Sequence, residues 1–341
     1  MSPLINGSAS HSNLLLSVCI PAYNAQAYIG TCLGSLAAQT FRNFEVVIVD
    51  DGSEERLVLD EKLVASLGAE HVHLDRTKNC GAYAARQRAA TLARGDYVFF
   101  VDADDELFGV GALEKLADVI QAHRPDVVLF DAVRETGERL AGYASYGWQG
   151  ELCPAEFLGE MILHHRLNSL CCMAFRRELL AADECPPHLS FAEDRLQKFE
   201  VVRRARIVWV LDEPLYLYKE SPTSTTRALY RPEYYLQACY TEERMCRHFD
   251  ELGIDWAVWA ESFIHTTCGH LLSMVRSAGI RRSERLETYA VFRELPACKM
   301  ALARLGRRYE GVRLHLWVEP FKRRHFGVLD VVLVARGFAS R

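Results

Sequence analysis

The sequence predicts an α/β protein with a mostly parallel central sheet flanked by helices, followed by a helical C-terminal extension. Residues 14–20 (LLLSVCI) and 44–50 (FEVVIVD) are unbroken apolar runs. Continuous runs of this kind belong to strands covered on both faces, the condition of a parallel sheet. A helix-like stretch lies between them, which makes a βαβ unit. The strand ends also carry PAYN, DDGS and DADD. In open α/β sheets ligands sit outside the carboxyl ends of the strands, so three polar strand ends mark one edge as a site.

The alternation continues in order. Residues 70–75 (EHVHLD) read as a strand, 81–93 (GAYAARQRAATLA) as an alanine-rich helix, and 96–102 (DYVFFVD) as the next strand. A helix over 111–124 and a strand over 126–132 follow. From 134 the glycine and turn content rises, which predicts a long loop or hairpin. A helix over 154–166, a buried LCCMAF segment, a helix starting at SFAED and two short strands within 206–220 complete this part. Beyond residue 229 apolar residues recur at helical spacing. The expected organisation is a polar segment 1–13, a catalytic domain 14–227 and a mainly helical region 228–341.

Composition narrows the function. The 45 acidic and 40 basic residues nearly cancel, so no overall basic field points to nucleic acid. The eleven cysteines are scattered without a CxxC pair, which favours reduced thiols and a cytoplasmic setting over a disulfide framework. The first residues lack a basic n-region, and no apolar run has the length of a membrane helix. No GxGxxG follows the first strand, which argues against a dinucleotide oxidoreductase. PAYNAQAY lacks the glycine-rich, basic phosphate loop expected of a nucleotidyltransferase. A scaffold that had lost catalysis predicts decayed acidic motifs, and here they are intact.

FVDADDEL carries an apolar strand into three aspartates within four positions, 102–105. Like charges so close, poorly solvated at a strand end, raise at least one carboxylate pKa and call for a cation. Taken together, SVCIPAYNAQAYIGTCLGSLAAQTFRNFEVVIVDDGS, KNCGAYAARQRAATLARGDYVFFVDADDEL and FAEDRLQKFEVVRRA resemble, in order and spacing, the family 2 glycosyltransferases with the GT-A fold. The resemblance covers roughly residues 14–220. It implies an inverting enzyme that moves a sugar from a nucleotide diphosphate donor, UDP-linked by expectation, to a glycan or lipid-linked glycan acceptor in surface polysaccharide synthesis. It also implies a divalent cofactor, Mn²⁺ or Mg²⁺, whose hard character suits carboxylate and phosphate oxygens.

The same resemblance distributes roles. Asp104 is the direct metal ligand, with Asp102 or Asp105 sharing; Asp102 alternatively faces the ribose or braces the loop, Ala103 borders the nucleotide, and Asp105 with Glu106 has the alternative of starting the next helix. Pro21, Ala22 and Tyr23 wrap the base, while Asn24 contacts it or caps the following helix. Asp51, with Asp50 as second choice, accepts the N3 hydrogen of uracil. Gly81 permits close backbone approach, although Cys80 departs from the usual pattern, and Arg86 reaches base or pyrophosphate. Asp194, beside Glu193, is the general base; SFAED is equally a helix start at which Ser190 or the acids satisfy free amides. Asn168 sits in a segment resembling the family's W-N-K-L, where Leu167 and Ser169 replace tryptophan and lysine. His164 and His165 read as structural, and Ser221, Ser224, Thr225 and Arg227 as phosphate donors or linker.

In the C-terminal region Trp256, Trp259, Phe263, Leu271 and Met274 form an apolar helical stripe for core packing, a homodimer or lipid. Lys322, Arg323, Arg324 and His325 precede a short apolar run and could draw an anionic membrane surface, placing the protein peripherally at the inner face of the cell membrane.

Overall fold

β1 (Leu16–Ala22) is buried along its whole length except for half-buried Pro21, as its unbroken apolar sequence requires. The structure is a computed structural model and describes residues 14–137, 139–163, 167–180, 189–219, 231–277, 279–305 and 312–339. β2 (Phe44–Asp50) pairs with β1 in parallel, from Leu16 opposite Phe44 to Ala22 opposite Asp50, which brings the two polar strand ends side by side. β3 (Val72–Arg76) pairs in parallel with β2 and forms the sheet edge, where its mixed sequence VHLDR is only partly covered. β4 (Tyr97–Phe100) pairs in parallel with the other side of β1 and is fully buried. Pro21 is tolerated in β1 because the paired residues with β4 end at Cys19 opposite Phe100.

The chain then adds β5 (Glu106–Leu107), β6 (Val127–Thr136), β7 (Arg139–Ala144), β8 (Gly150–Leu152), β9 (Met173–Arg176) and β10 (Val208–Lys219). The order across the sheet is β3-β2-β1-β4-β9-β6-β10-β5. β10 is parallel to β6, whereas β9 runs antiparallel to both β4 and β6, and β5 antiparallel to β10. The sheet is thus mostly parallel, with reversed strands that a local reading of short apolar segments does not reveal. β6 and β7 pair antiparallel, from Ala132 opposite Ala144 to Thr136 opposite Arg139, in the region where a loop or hairpin was expected.

One correction concerns 206–220, expected as two strands. Val208–Lys219 within it is one strand, β10, whose register against β6 shifts between Leu211 and Pro214 and again between Pro214 and Tyr216. Proline lacks the amide that a ladder needs, so the strand bends there and continues.

Helices cover both faces. Leu16, Val18 and Ile20 of β1 share a core with Ile29, Leu33 and Leu36 of helix Ile29–Ala37 and with Leu113 and Leu116 of helix Ala112–His123. Helix Ala82–Leu92 packs on β1 and β2 and lies outside that core, through Ala85 and Ala89, whose small side chains let it approach closely.

The chain divides into two compact units, one of Met1–Glu151, Cys171–Pro187 and Ala205–Lys219, the other of Leu152–Leu170, His188–Arg204 and Glu220–Arg341. Two segments expected in the first domain, 152–170 and 188–204, therefore group with the C-terminal helices. In this second unit the stripe on helix Trp256–Arg276 is core: Trp259, Phe263, Leu271 and Met274 are buried, and Trp259 stacks on Phe263 at 5.6 Å. Arg323 pairs with Glu319 and Arg324 with Glu294, both exposed. Among the described residues no helix is long and apolar enough to cross a membrane.

Candidate functional site

The site in the first unit is assembled from strand ends. Ala22 closes β1 in the core, and the next residue, Tyr23, turns its ring outward, 51% exposed. Asn24 takes a left-handed conformation, φ 50°, which asparagine tolerates better than most residues. Its amide donates to Ser53 Oγ (2.8 Å), and its side-chain oxygen accepts from the Glu54 amide (3.0 Å). The expected helix cap is thereby corrected: helix Ile29–Ala37 starts after Tyr28 with no side-chain cap, and Asn24 instead ties the loop after β1 to the loop after β2.

Asp50 ends β2 and Asp51 follows it, and the two face different partners. Asp50 Oδ1 accepts from the Ser53 amide (2.9 Å) and Oδ2 from the Leu57 amide (3.4 Å), with Arg76 Nη1 at 3.5 Å. Burial alone would raise this carboxyl, but those donors and the guanidinium hold it below the usual carboxylate range. Asp51, 3% exposed, accepts from the amides of Cys80 (2.9 Å) and Gly81 (2.8 Å) and from Thr77 Oγ1 (3.3 Å). It thus shapes the turn before helix Ala82–Leu92, where Gly81 takes φ 88°. Gly52 adopts φ 72°, and a Cβ there would lie 2.6 Å from the Asn79 nitrogen. The two loops meet backbone to backbone, which is why glycine stands at that point.

The aspartate turn follows β4. Asp102 is 34% exposed, with Arg86 Nη2 at 3.4 Å from Oδ1 and the Cys171 thiol donating to Oδ2 at 3.2 Å. Arg86 itself is buried on its alanine-rich helix, so it is no ordinary surface arginine. Ala103 is buried and Asp104 half-buried; burial first, and then the Asp102 charge, raise the Asp104 carboxyl. Asp105 is 1% exposed, and burial followed by the Asp102 charge raises it as well. Its Oδ2 accepts from Tyr216 Oη (2.6 Å) and its Oδ1 from the Lys219 amide (2.8 Å). The alternative that Asp105 and Glu106 start a helix is corrected: Glu106–Leu107 is β5, and the next helix begins at Ala112.

Tyr216, Lys219 and Cys171 were not singled out by sequence reasoning. They lie about 70 to 114 positions from the aspartates that they touch, and nothing local links them. The alternation Leu215, Tyr216, Leu217, Tyr218 is a strand signal only.

Asp102 and Asp104 are hard oxygen donors in a desolvated, self-repelling cluster, which suits a hard divalent cation. Among the described residues no group of three or more His, Cys, Asp or Glu side chains is gathered for a metal. Two carboxylates completed by phosphate oxygens and water is the usual way Mg²⁺ is bound at a nucleotide, so the donor set fits such an ion.

Within the second unit, helix Glu193–Val202 begins at Ala192 with φ 61° and no side-chain cap. Ser190 is engaged elsewhere, its hydroxyl (3.5 Å) and its amide (2.9 Å) both donating to Gln237 Oε1, which corrects the capping role expected of it. Glu193 and Asp194 occupy the first turn, half-buried, where the helix dipole favours negative charge. The next turn is locked. Buried Arg195 pairs with Glu242 at 3.0 Å and donates to Asn168 Oδ1 (3.0 Å) and to the Met161 carbonyl (3.1 Å). Trp259 Nε1 donates to the other oxygen of Glu242 at 2.8 Å. Buried Lys198 donates to the Ser169 carbonyl at 3.0 Å, and Leu167 is buried. Asn168 and Ser169 are thereby fixed against the helix that carries Asp194. His164, His165, Ser221, Ser224, Thr225 and Arg227 lie outside the described residues.

Comparison with known proteins places the chain. EpsJ of Bacillus subtilis, an uncharacterized glycosyltransferase, is 27% identical over 76% of this chain and 77% of its own length. A PGL/p-HBAD biosynthesis glycosyltransferase of Mycobacterium bovis is 37% identical over 38% of this chain and 51% of its own length. Among solved structures, residues 1–349 of S. aureus TarS share the fold, with TM-score 0.68 and 20% identity over 96% of this chain and 92% of that one. Residues 17–182 match the model of Glycosyl transferase family 2, and this segment is a glycosyltransferase domain of that family, with the GT-A fold.

Proposed function

We propose that the enzyme transfers a sugar from a UDP-linked donor, with inversion, to a hydroxyl of a glycan or glycolipid acceptor in surface polysaccharide synthesis. The observation that carries this is the aspartate turn at the end of β4, half-exposed at Asp102 and Asp104, beside the ends of β1 and β2. S. aureus TarS of the same fold has been solved with UDP-GlcNAc and with UDP, which supports a nucleotide-sugar donor. Tyr23 with Pro21 and Ala22 stacks on the base, and Asp51, with Asp50 behind it, accepts the N3 hydrogen. Asn24 fixes that loop, Gly81 lets the backbone approach, and Arg86 with Asp102 and Ala103 lines the diphosphate side.

Asp104 and Asp102 would hold the divalent ion, Mn²⁺ or Mg²⁺, which offsets the charge of the departing diphosphate. In the transfer the acceptor oxygen bonds to the anomeric carbon, and the bond from that carbon to the diphosphate oxygen breaks. UDP leaves with the electron pair, and the acceptor proton passes to Asp194, with Glu193 as its neighbour. The basic residues Lys322, Arg323, Arg324 and His325 serve a peripheral membrane contact suited to a lipid-linked acceptor.

The test is thermal stabilisation by nucleoside diphosphates with Mn²⁺ or with chelator, since a ligand that binds the folded state raises Tm. A shift that needs both UDP and metal is expected, and no shift with any nucleotide overturns the reading. Asp194→Asn should abolish transfer while leaving UDP binding intact; unchanged turnover removes Asp194 as the base.

A further inference from the structure

We propose that Tyr216 and Asp105 are positioning residues that brace the aspartate turn from β10, and that Asp105 is a strut and not a metal ligand. The inference rests on the donor-site reading above and adds to it the division of labour among the three acids. Burial separates them first: Asp102 is 34% exposed and Asp104 half-buried, but Asp105 is 1% exposed. Each oxygen of Asp105 already takes a hydrogen bond, from the Tyr216 hydroxyl at 2.6 Å and the Lys219 amide at 2.8 Å.

The Tyr216 oxygen does a second thing. It accepts the Asp102 amide at 3.2 Å, so one phenol holds the first residue of the turn by its backbone and the last by its side chain. A phenol has one proton to give and lone pairs to receive, and both functions are used here. Within the turn the Asp105 amide donates to the Asp102 carbonyl at 3.0 Å, which closes the loop that the tyrosine clamps.

Tyr216 reaches this point through the bent strand. After the register shifts around Pro214, Tyr216 pairs with Leu107 of β5 and Ala132 of β6, and its ring lies edge-on to Phe99 at 6.5 Å. Lys219 strengthens the same junction, its Nζ pairing with Glu106 (2.6 Å) and Glu135 (3.1 Å). β10 is therefore the rigid element against which the carboxylates of Asp102 and Asp104 are set. Partners of this kind, which orient ligands without touching the metal, change metal affinity about tenfold to a hundredfold when removed.

The experiment titrates Mn²⁺ by electron paramagnetic resonance in the presence of UDP, for the wild type, Tyr216→Phe, Asp105→Asn and Asp104→Asn. Tyr216→Phe removes no carboxylate, yet it should weaken Mn²⁺ about tenfold and speed amide hydrogen exchange in the 102–107 peptide. Asp105→Asn keeps an oxygen for the Lys219 amide and an NH₂ for the tyrosine oxygen, so it should lose less than Asp104→Asn. Asparagine at 105 abolishing Mn²⁺ binding as fully as asparagine at 104 would show a ligand and overturn the strut. Wild-type affinity and exchange in Tyr216→Phe would overturn the brace. Should Tyr216→Phe fail to fold, the order of the two asparagine variants decides. A wild type that binds no Mn²⁺ beside UDP removes the donor-site reading and this proposal together, whereas the other failures remove this proposal alone.

Discussion

Replacing Asp51 by asparagine should weaken both the fold around the strand ends and the recognition of uracil. The carboxylate accepts the Gly81 amide on one oxygen and the Cys80 amide and Thr77 hydroxyl on the other, and it is almost wholly buried. Asparagine retains one acceptor oxygen. If it serves Cys80, the side-chain NH₂ faces the Gly81 N–H, two donors with no acceptor between them. A hydrogen bond to a charged group contributes about 1.5–3 kcal/mol, and a buried donor left without a partner costs a further 1–3 kcal/mol or so. The expected loss is about 2–4 kcal/mol after local relaxation, read as a lower Tm and as faster amide exchange confined to residues 76–86. The recognition arm compares UDP with its N3-methyl derivative. Wild type should prefer UDP by about tenfold to a hundredfold, the equivalent of one charge-assisted bond, and Asp51→Asn should bind the two nearly alike. Undiminished preference in the variant refutes Asp51 as the base reader; unchanged Tm and exchange refute its hold on the turn.

Gly52→Ala should cost about 2 kcal/mol or more, because left-handed strain of roughly 1–2 kcal/mol adds to a contact of 2.6 Å with the Asn79 backbone; a chemical denaturation curve matching wild type would show that the two loops can part freely. His270 packs against Phe191 and Tyr235, and burial pushes its pKa down to about 4. Between pH about 6.5 and 4 the unfolded chain binds the extra proton, so stability is full above that window and falls through it by about 3 kcal/mol. The melting difference between wild type and His270→Gln across this range measures it, and parallel pH profiles count against it. Arg195→Ala leaves Glu242 buried beside Trp259 without its cation, which should destabilise the second unit by about 3–5 kcal/mol. Arg195→Ala together with Glu242→Ala should recover part of that loss, and a double variant no better than the single would deny the pairing.

The parallel half of the sheet was legible because its strands are buried on both faces, and such burial writes itself into sequence as unbroken apolar runs such as Phe44–Asp50. β9 was not. Met173–Arg176 is four residues long, and its apolar side chains would suit a parallel strand, an antiparallel one or a turn of buried helix equally. Its place between β4 and β6 depends on pairings with residues about 45 to 80 positions away. β10 was read as two strands because Pro214 is a breaker locally, whereas the ladder with β6 on either side carries the strand past it.

The candidate site divides along the same line. Side chains fixed by their own loop announce themselves, so the acids at 50–51 and 102–105 stood out as clusters at strand ends. What each acid does is decided by donors that arrive from elsewhere. Asp50 and Asp51 are neighbours of one residue type, yet one braces residues 53–57 and the other residues 77–81, because successive side chains leave a strand on opposite faces. Asp105 is distinguished from Asp102 and Asp104 by a tyrosine 111 positions further along the chain. Charge density in a sequence therefore locates a site, and the hydrogen-bond donors brought in by tertiary structure assign the roles within it. A cluster in which one carboxylate is fully satisfied and two are half-exposed has fewer negative groups to offer a ligand than its sequence counts. That difference is what separates an acid that holds a turn from acids that can receive a cation.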